Sequence, residues 1–89
     1  MVYITMAPMY PTMNSGKVAD FLVEIGDTVK IGTPVAEIVA EGYYTLLSEY
    51  YGKVTEIYVN EGEYVEVDTP IIEVEEYEDV EPMREGKKK

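Results

Sequence analysis

Apolar and polar residues alternate along most of this chain with a period near two, and Gly or Pro interrupts the alternation every ten residues or so. That pattern predicts short β-strands rather than helices. Val2-Tyr3-Ile4-Thr5-Met6 reads as a first strand. Ala7 to Gly16 contains Pro8 and Pro11, each lacking an amide donor, and so reads as an extended loop whose Met9 and Met13 fit either core or surface. Gly16 opens a second strand, Lys17 to Ile25, with Ala19, Phe21 and Val23 as its apolar face. Gly26-Asp27 turns the chain, Thr28 to Ile31 forms a short strand, and Gly32-Thr33-Pro34 turns it again. Two β-compatible runs, Pro34 to Ala40 and Tyr43 to Ser48, then flank Glu41-Gly42. An acidic residue followed by Gly signals a two-residue hairpin with Gly42 at positive φ.

Shifting the sequence by 36 residues lays its second half on its first without a gap. Gly16-Lys17-Val18 meets Gly52-Lys53-Val54, and Gly26-Asp27-Thr28-Val29 meets Gly62-Glu63-Tyr64-Val65. Thr33-Pro34-Val35-Ala36-Glu37-Ile38 meets Thr69-Pro70-Ile71-Ile72-Glu73-Val74, and the pairs Phe21/Ile57, Ile31/Val67 and Ile38/Val74 are apolar in both copies. Two copies, neither able to bury its own apolar face, are expected to pack about a pseudo-twofold axis. The expected fold is all-β, two small antiparallel sheets facing each other with about eight strands in all. The matched valines Val29 and Val65 should both be buried. Residues 1–76 form this domain, and 77–89, dense in charge with little to bury, read as a flexible tail or truncated linker.

Composition narrows the function. A chain of 89 residues buries roughly 60% of its unfolded surface, too little for a deep catalytic cleft. The absence of Cys and His excludes disulfides, thiolate or imidazole metal sites and His-dependent nucleophilic catalysis. A net charge of −11 opposes binding to nucleic acid or anionic membranes and suits a basic protein partner. No apolar run approaches the roughly 20 residues of a membrane span and no leader pattern opens the chain, so a soluble, cytoplasmic protein is expected. Abundant Glu with no Gln and little Asn points to a thermophilic source.

Met6 to Gly16, with its Pro-Thr-Met, followed by Gly26-Asp27-Thr28-Val29-Lys30-Ile31-Gly32-Thr33-Pro34-Val35-Ala36-Glu37-Ile38, resembles the lipoyl domain of the acyltransferase component of 2-oxo-acid dehydrogenase complexes. Gly52-Lys53-Val54 and Glu61-Gly62-Glu63-Tyr64-Val65 extend the likeness, which covers residues 1 to about 75. The resemblance implies a flattened barrel of two four-stranded sheets with quasi-twofold symmetry, a barrel-sandwich hybrid shared with biotinyl carriers. It also implies one hairpin lysine, in an Asp-Lys-Ala or Met-Lys-Met setting, that a ligase acylates so that the cofactor swings between active sites. Here the attachment position falls at Glu41 or Gly42, in a hairpin one residue shorter than the family's, and neither residue has an amine.

Lys17, Lys30 and Lys53 read as solvated strand or turn lysines, and Lys87 to Lys89 lack a presenting hairpin. No lipoate, biotin or metal is therefore expected, and the leading expectation is a non-acylated binding or structural module. The alternative is a swinging-arm carrier of a 2-oxo-acid dehydrogenase complex with an altered attachment site. Glu41, Gly42, Tyr43 and Tyr44 are the candidate contact surface for a protein partner, with dehydrogenase-complex components among the partners implied. Tyr43, Tyr44, Tyr50 and Tyr51 serve equally as cross-strand pairs stabilising the hairpin, but adjacent strand residues face opposite ways, so one of each couple must point outward. Glu37, Glu41, Glu49, Glu73 and Glu75 read as a solvated acidic face rather than a general acid/base pair or cation site.

Overall fold

The computed structural model describes residues 1–77 of the chain; the expected tail, apart from Tyr77, lies outside the described residues. Eight strands follow one another: β1 Val2–Thr5, β2 Ser15–Phe21, β3 Thr28–Val29, β4 Pro34–Val39, β5 Tyr43–Leu47, β6 Gly52–Ile57, β7 Tyr64–Glu66 and β8 Pro70–Glu76. They form two four-stranded sheets, ordered β1-β8-β6-β3 and β5-β4-β2-β7. Every pairing is antiparallel. Exchanging β2 with β6, β3 with β7, β4 with β8 and β1 with β5 converts one sheet order into the other, which is the quasi-twofold symmetry of the fold. No helix among the described residues is long and apolar enough to cross a membrane.

The 36-residue spacing recurs in the backbone irregularities. In the β2–β4 ladder Val18 pairs with Ile38 and Asp20 with Glu37, leaving Ala19 as an extra residue. In the β6–β8 ladder Val54 pairs with Val74 and Glu56 with Glu73, leaving Thr55 in the same role. Val35 opposite β5 and Ile71 opposite β1 are a second matched pair of bulges. A bulge places two residues against one and shifts the alternation by one position. Val35 and Ala36 can therefore both be fully buried, as can Ile71 and Ile72.

The bulge at Ala19 corrects the expected core face of β2. Strict alternation from Ala19 fails because Val18 turns inward, Ala19 is exposed, and the inward series resumes with half-buried Phe21 and buried Val23. The strand also stops at Phe21, which leaves Ile25 exposed.

Turns obey the same symmetry. Gly26 and Gly62 have φ of 101° and 91°. Gly32 at 91° is matched by Asp68 at 76°, the one non-glycine in the left-handed region among the described residues. Val29 and Val65 are both buried, as the matching required. Between the sheets, Met6, Val18, Ile38, Val54, Ile72 and Val74 anchor a continuous apolar core. Met13 is buried in it and Met9 packs at its rim, where the Met9 N–H faces the Met13 sulfur at 3.1 Å.

Candidate functional site

The β4–β5 hairpin is held at both ends. At its base the Gly32 N–H donates to the Ser48 carbonyl at 2.8 Å, and the Ser48 N–H to the Thr33 carbonyl at 2.8 Å. The buried Ser48 hydroxyl donates to the Tyr50 carbonyl at 2.8 Å and accepts from the Tyr50 N–H at 3.1 Å, so no buried polar atom of that side chain is wasted. Along the arms, Ile38 and Leu46 are buried while the Thr45 hydroxyl donates to Glu37 Oε2 at 3.1 Å on the solvent side.

At the tip the turn differs from the two-residue form expected. The ladder closes at Val39 opposite Tyr43, leaving three residues, Ala40, Glu41 and Gly42, and the Ala40 N–H donates to the Gly42 carbonyl at 2.9 Å. Gly42 is not among the glycines at positive φ, and a Cβ built on it meets nothing within 4 Å. Gly42 thus lies outside the left-handed conformation that the expected two-residue loop would have required of it.

Glu41, Gly42 and Tyr43 are exposed, Tyr43 by 78%. Tyr44 turns inward instead: its hydroxyl donates to the Ala7 carbonyl and lies 3.5 Å from the Met6 sulfur, tying the hairpin to the loop after β1. Burial pushes the Tyr44 phenol up from its ordinary pKa. The other tyrosine couple sits beyond the far end of β5, where Tyr50 packs on the core and Tyr51 meets Tyr77 edge-on at 5.1 Å. One outward tyrosine, Tyr43, thus remains beside the tip. The Tyr44–Ala7 tie spans 37 residues and left no local signal in the sequence.

Among the described lysines, Lys17 lies nearest the tip in register, paired with Val39 on one side and Tyr64 on the other. Lys53 pairs with Glu75 in the opposite sheet.

The carboxylates are distributed rather than convergent. Glu73 accepts from the Thr55 hydroxyl at 2.8 Å and the Tyr58 hydroxyl at 3.0 Å, and these bonds, Thr55 first, hold it below the usual carboxylate range. Asp20 and Glu61, which sequence spacing did not single out, come together across 41 residues. Glu61 accepts the Phe21 N–H at 3.0 Å, which keeps it below its ordinary pKa, while its hydrogen bond with Asp20 raises the latter. Among the described residues no three acidic side chains converge on a metal-sized site.

Residues 3–74 match the biotin–lipoyl family model, described as "Biotin-requiring enzyme". Among solved structures, the chain is similar to the lipoyl domain of the 2-oxoglutarate dehydrogenase complex from Azotobacter vinelandii. The two are 28% identical with a TM-score of 0.64, over 82% of this chain and 96% of that one. Comparison with curated proteins finds no match.

Proposed function

The chain belongs to the biotin–lipoyl family, and on that footing we propose that it is a member whose hairpin tip is not acylated and which works as a protein-binding or structural module. One observation carries this reading: from Ile31 to Gly52, the whole of the hairpin and its flanks, there is no lysine. Acyl transfer to a carrier domain needs a nucleophilic amine presented to the ligase, and the tip offers a carboxylate and a glycine instead. Neither lipoate nor biotin is then attached. With a net charge of −11 the partner is a basic surface, and components of a dehydrogenase complex are the natural class to try first.

Intact mass after co-expression with a lipoate ligase and a biotin ligase tests the reading. The mass stays that of the unmodified chain; a lipoyl or biotinyl increment on any lysine overturns it. Two variants extend the test. Because Gly42 has no positive φ and open space around its missing Cβ, Gly42→Lys folds with stability within about 0.5 kcal/mol of the parent. Replacing Glu41-Gly42 by Asp-Lys-Ala restores the family's tip length as well, and is the better ligase substrate.

A second reading is a working swinging-arm carrier with a displaced attachment site. The 28% identity with a lipoyl domain favours it, as does the placement of Lys17 beside Val39 at the foot of the tip. Under that reading the same co-expression gives an acyl increment that maps to Lys17.

A further inference from the structure

We infer that the free edge of β5 is a docking strand for an extended peptide segment that carries basic residues at both ends. β5 closes its sheet and has β4 as its single neighbour. Its five residues, Tyr43-Tyr44-Thr45-Leu46-Leu47, include no charge and no proline, and the bulge in this ladder lies on β4, not on β5. Apart from the ladder with β4, no backbone hydrogen bond among the described residues involves Tyr43 to Leu47. A strand with one neighbour turns alternate N–H and C=O groups outward, and an incoming strand pairs with them.

The surface beside that edge is shaped and apolar. Tyr43 is 78% exposed, Leu47 47%, and Ile31, from the loop that leads from β3 to β4, 76%. Ile31 and Leu47 line a shallow recess of about 430 Å³ that runs along β5, with Ala7 on its wall. Exposed Glu41 precedes the strand and exposed Glu49 follows it, eight residues apart. Eight residues at about 3.3 Å each set an upper limit of roughly 26 Å on the separation of the two ends, and Glu41, in the tip turn, brings it below that limit. The occupant is thus at most about nine residues long, with β-branched or aliphatic residues in its centre and a lysine or arginine at each end.

The same charges oppose a second copy as the occupant. Antiparallel pairing of β5 with itself about Thr45 sets each Glu41 against a Glu49, two like-charge pairs at the ends of a five-residue ladder. The remaining edges are poorer templates. β3 has two residues, and β7 has three and carries Glu66. β1 is uncharged, but its exposed Tyr3 already packs on Tyr58 at 6.3 Å and faces Glu73 across the ladder, and no acidic residue flanks the strand at either end. Lys30 next to Ile31 is the one cation of its loop, and it lies outside the span that the two glutamates bracket. The inference deepens the binding-module reading and rests on it for the existence of a protein partner, but not on the state of the tip.

The probe is a fluorescent nine-residue peptide with lysine at each end and alternating valine and threonine between. Controls are the same peptide with glutamate ends, and one with alternate backbone nitrogens methylated. Saturable binding is expected, with amide chemical-shift changes in the ¹⁵N-labelled chain confined to Tyr43–Leu47 and the Ile31 loop. The dissociation constant rises at least tenfold for either control peptide and for the Glu41→Lys/Glu49→Lys chain. Absence of binding, binding indifferent to the end charges or to methylation, shifts centred on β1 or β7, or a concentration-dependent dimer in sedimentation velocity each overturns the inference. Should the double variant fail to fold, the two control peptides on the parent chain still decide. An acyl increment in the mass experiment overturns the non-acylated reading and leaves this titration as it stands.

Discussion

Gly16 and Gly52 occupy equivalent positions in the two halves, yet alanine should be tolerated at one and not the other. Both are buried and neither has positive φ. A Cβ on Gly52 lies 2.7 Å from Val74 Cγ1 and 2.9 Å from the Glu75 carbonyl carbon, and closer still to the Glu75 carbonyl oxygen. The obstacle is the backbone of β8, paired on both sides with β1 and β6, so relief requires moving a central strand. A Cβ on Gly16 meets Met13 Cε at 2.9 Å, Ile38 Cγ2 at 3.0 Å and Met6 Sδ at 3.4 Å. Methionine ends swing aside at small cost. Replacing Gly by Ala also removes unfolded-state freedom, which contributes about 0.4–1 kcal/mol to stability at compatible φ. The net change for Gly16→Ala is then within about 1 kcal/mol of zero. Overpacking against backbone lies at the upper end of the usual 1–3 kcal/mol, so Gly52→Ala loses about 2–3 kcal/mol. For a domain of this size that is a fall of roughly 10–20 °C in Tm. Urea unfolding followed by tyrosine fluorescence reads the difference, provided the slope of free energy against urea stays constant. Equal losses, or a larger one at Gly16, would refute the reasoning that backbone and flexible side chains resist a methyl group differently.

Asp68→Gly relieves the left-handed strain at φ 76° and gains at most about 1 kcal/mol, whereas Gly32→Ala at the matched position loses about 1–2 kcal/mol; thermal melts of the two variants should move in opposite directions. Val29→Ala and Val65→Ala each cost about 1–3 kcal/mol in denaturant titrations, since both side chains are buried at equivalent places, and a loss at one alone would break the equivalence of the halves. Desolvation, followed by the hydrogen-bonded Glu73 carboxylate, pushes the Tyr58 phenol up to about 12, so ultraviolet titration finds a tyrosine ionising there, and Glu73→Gln moves it part of the way back toward 10. Because the folded pKa is the higher, the stability this contact contributes is in place below about pH 10 and is lost as pH rises toward 12. Glu73 has the opposite sign: its folded pKa is depressed, so its contribution holds at neutral pH and is lost as pH falls through the carboxylate range.

The order and type of the elements were written in local patterns. Gly26, Gly62 and Gly32 mark turns because glycine tolerates positive φ, alternation marks strands, and the match at 36 residues announced two halves that must cover each other. The place of the hairpin and the absence of lysine from it are likewise properties of the sequence. The bulges were not legible, because an extra residue such as Ala19 or Thr55 exists only relative to the strand opposite, and that partner is chosen by the sheet. The same holds for the three-residue tip, whose ladder closes at Val39 and Tyr43 and in which Gly42 has no positive φ. Tyr44 could be placed facing away from Tyr43, but its bond to Ala7 depends on two segments that only the packed sandwich brings together. Which strands lie at an edge is a property of sheet order, so the uncharged, unpaired side of β5 became visible only once the two sheets were assembled.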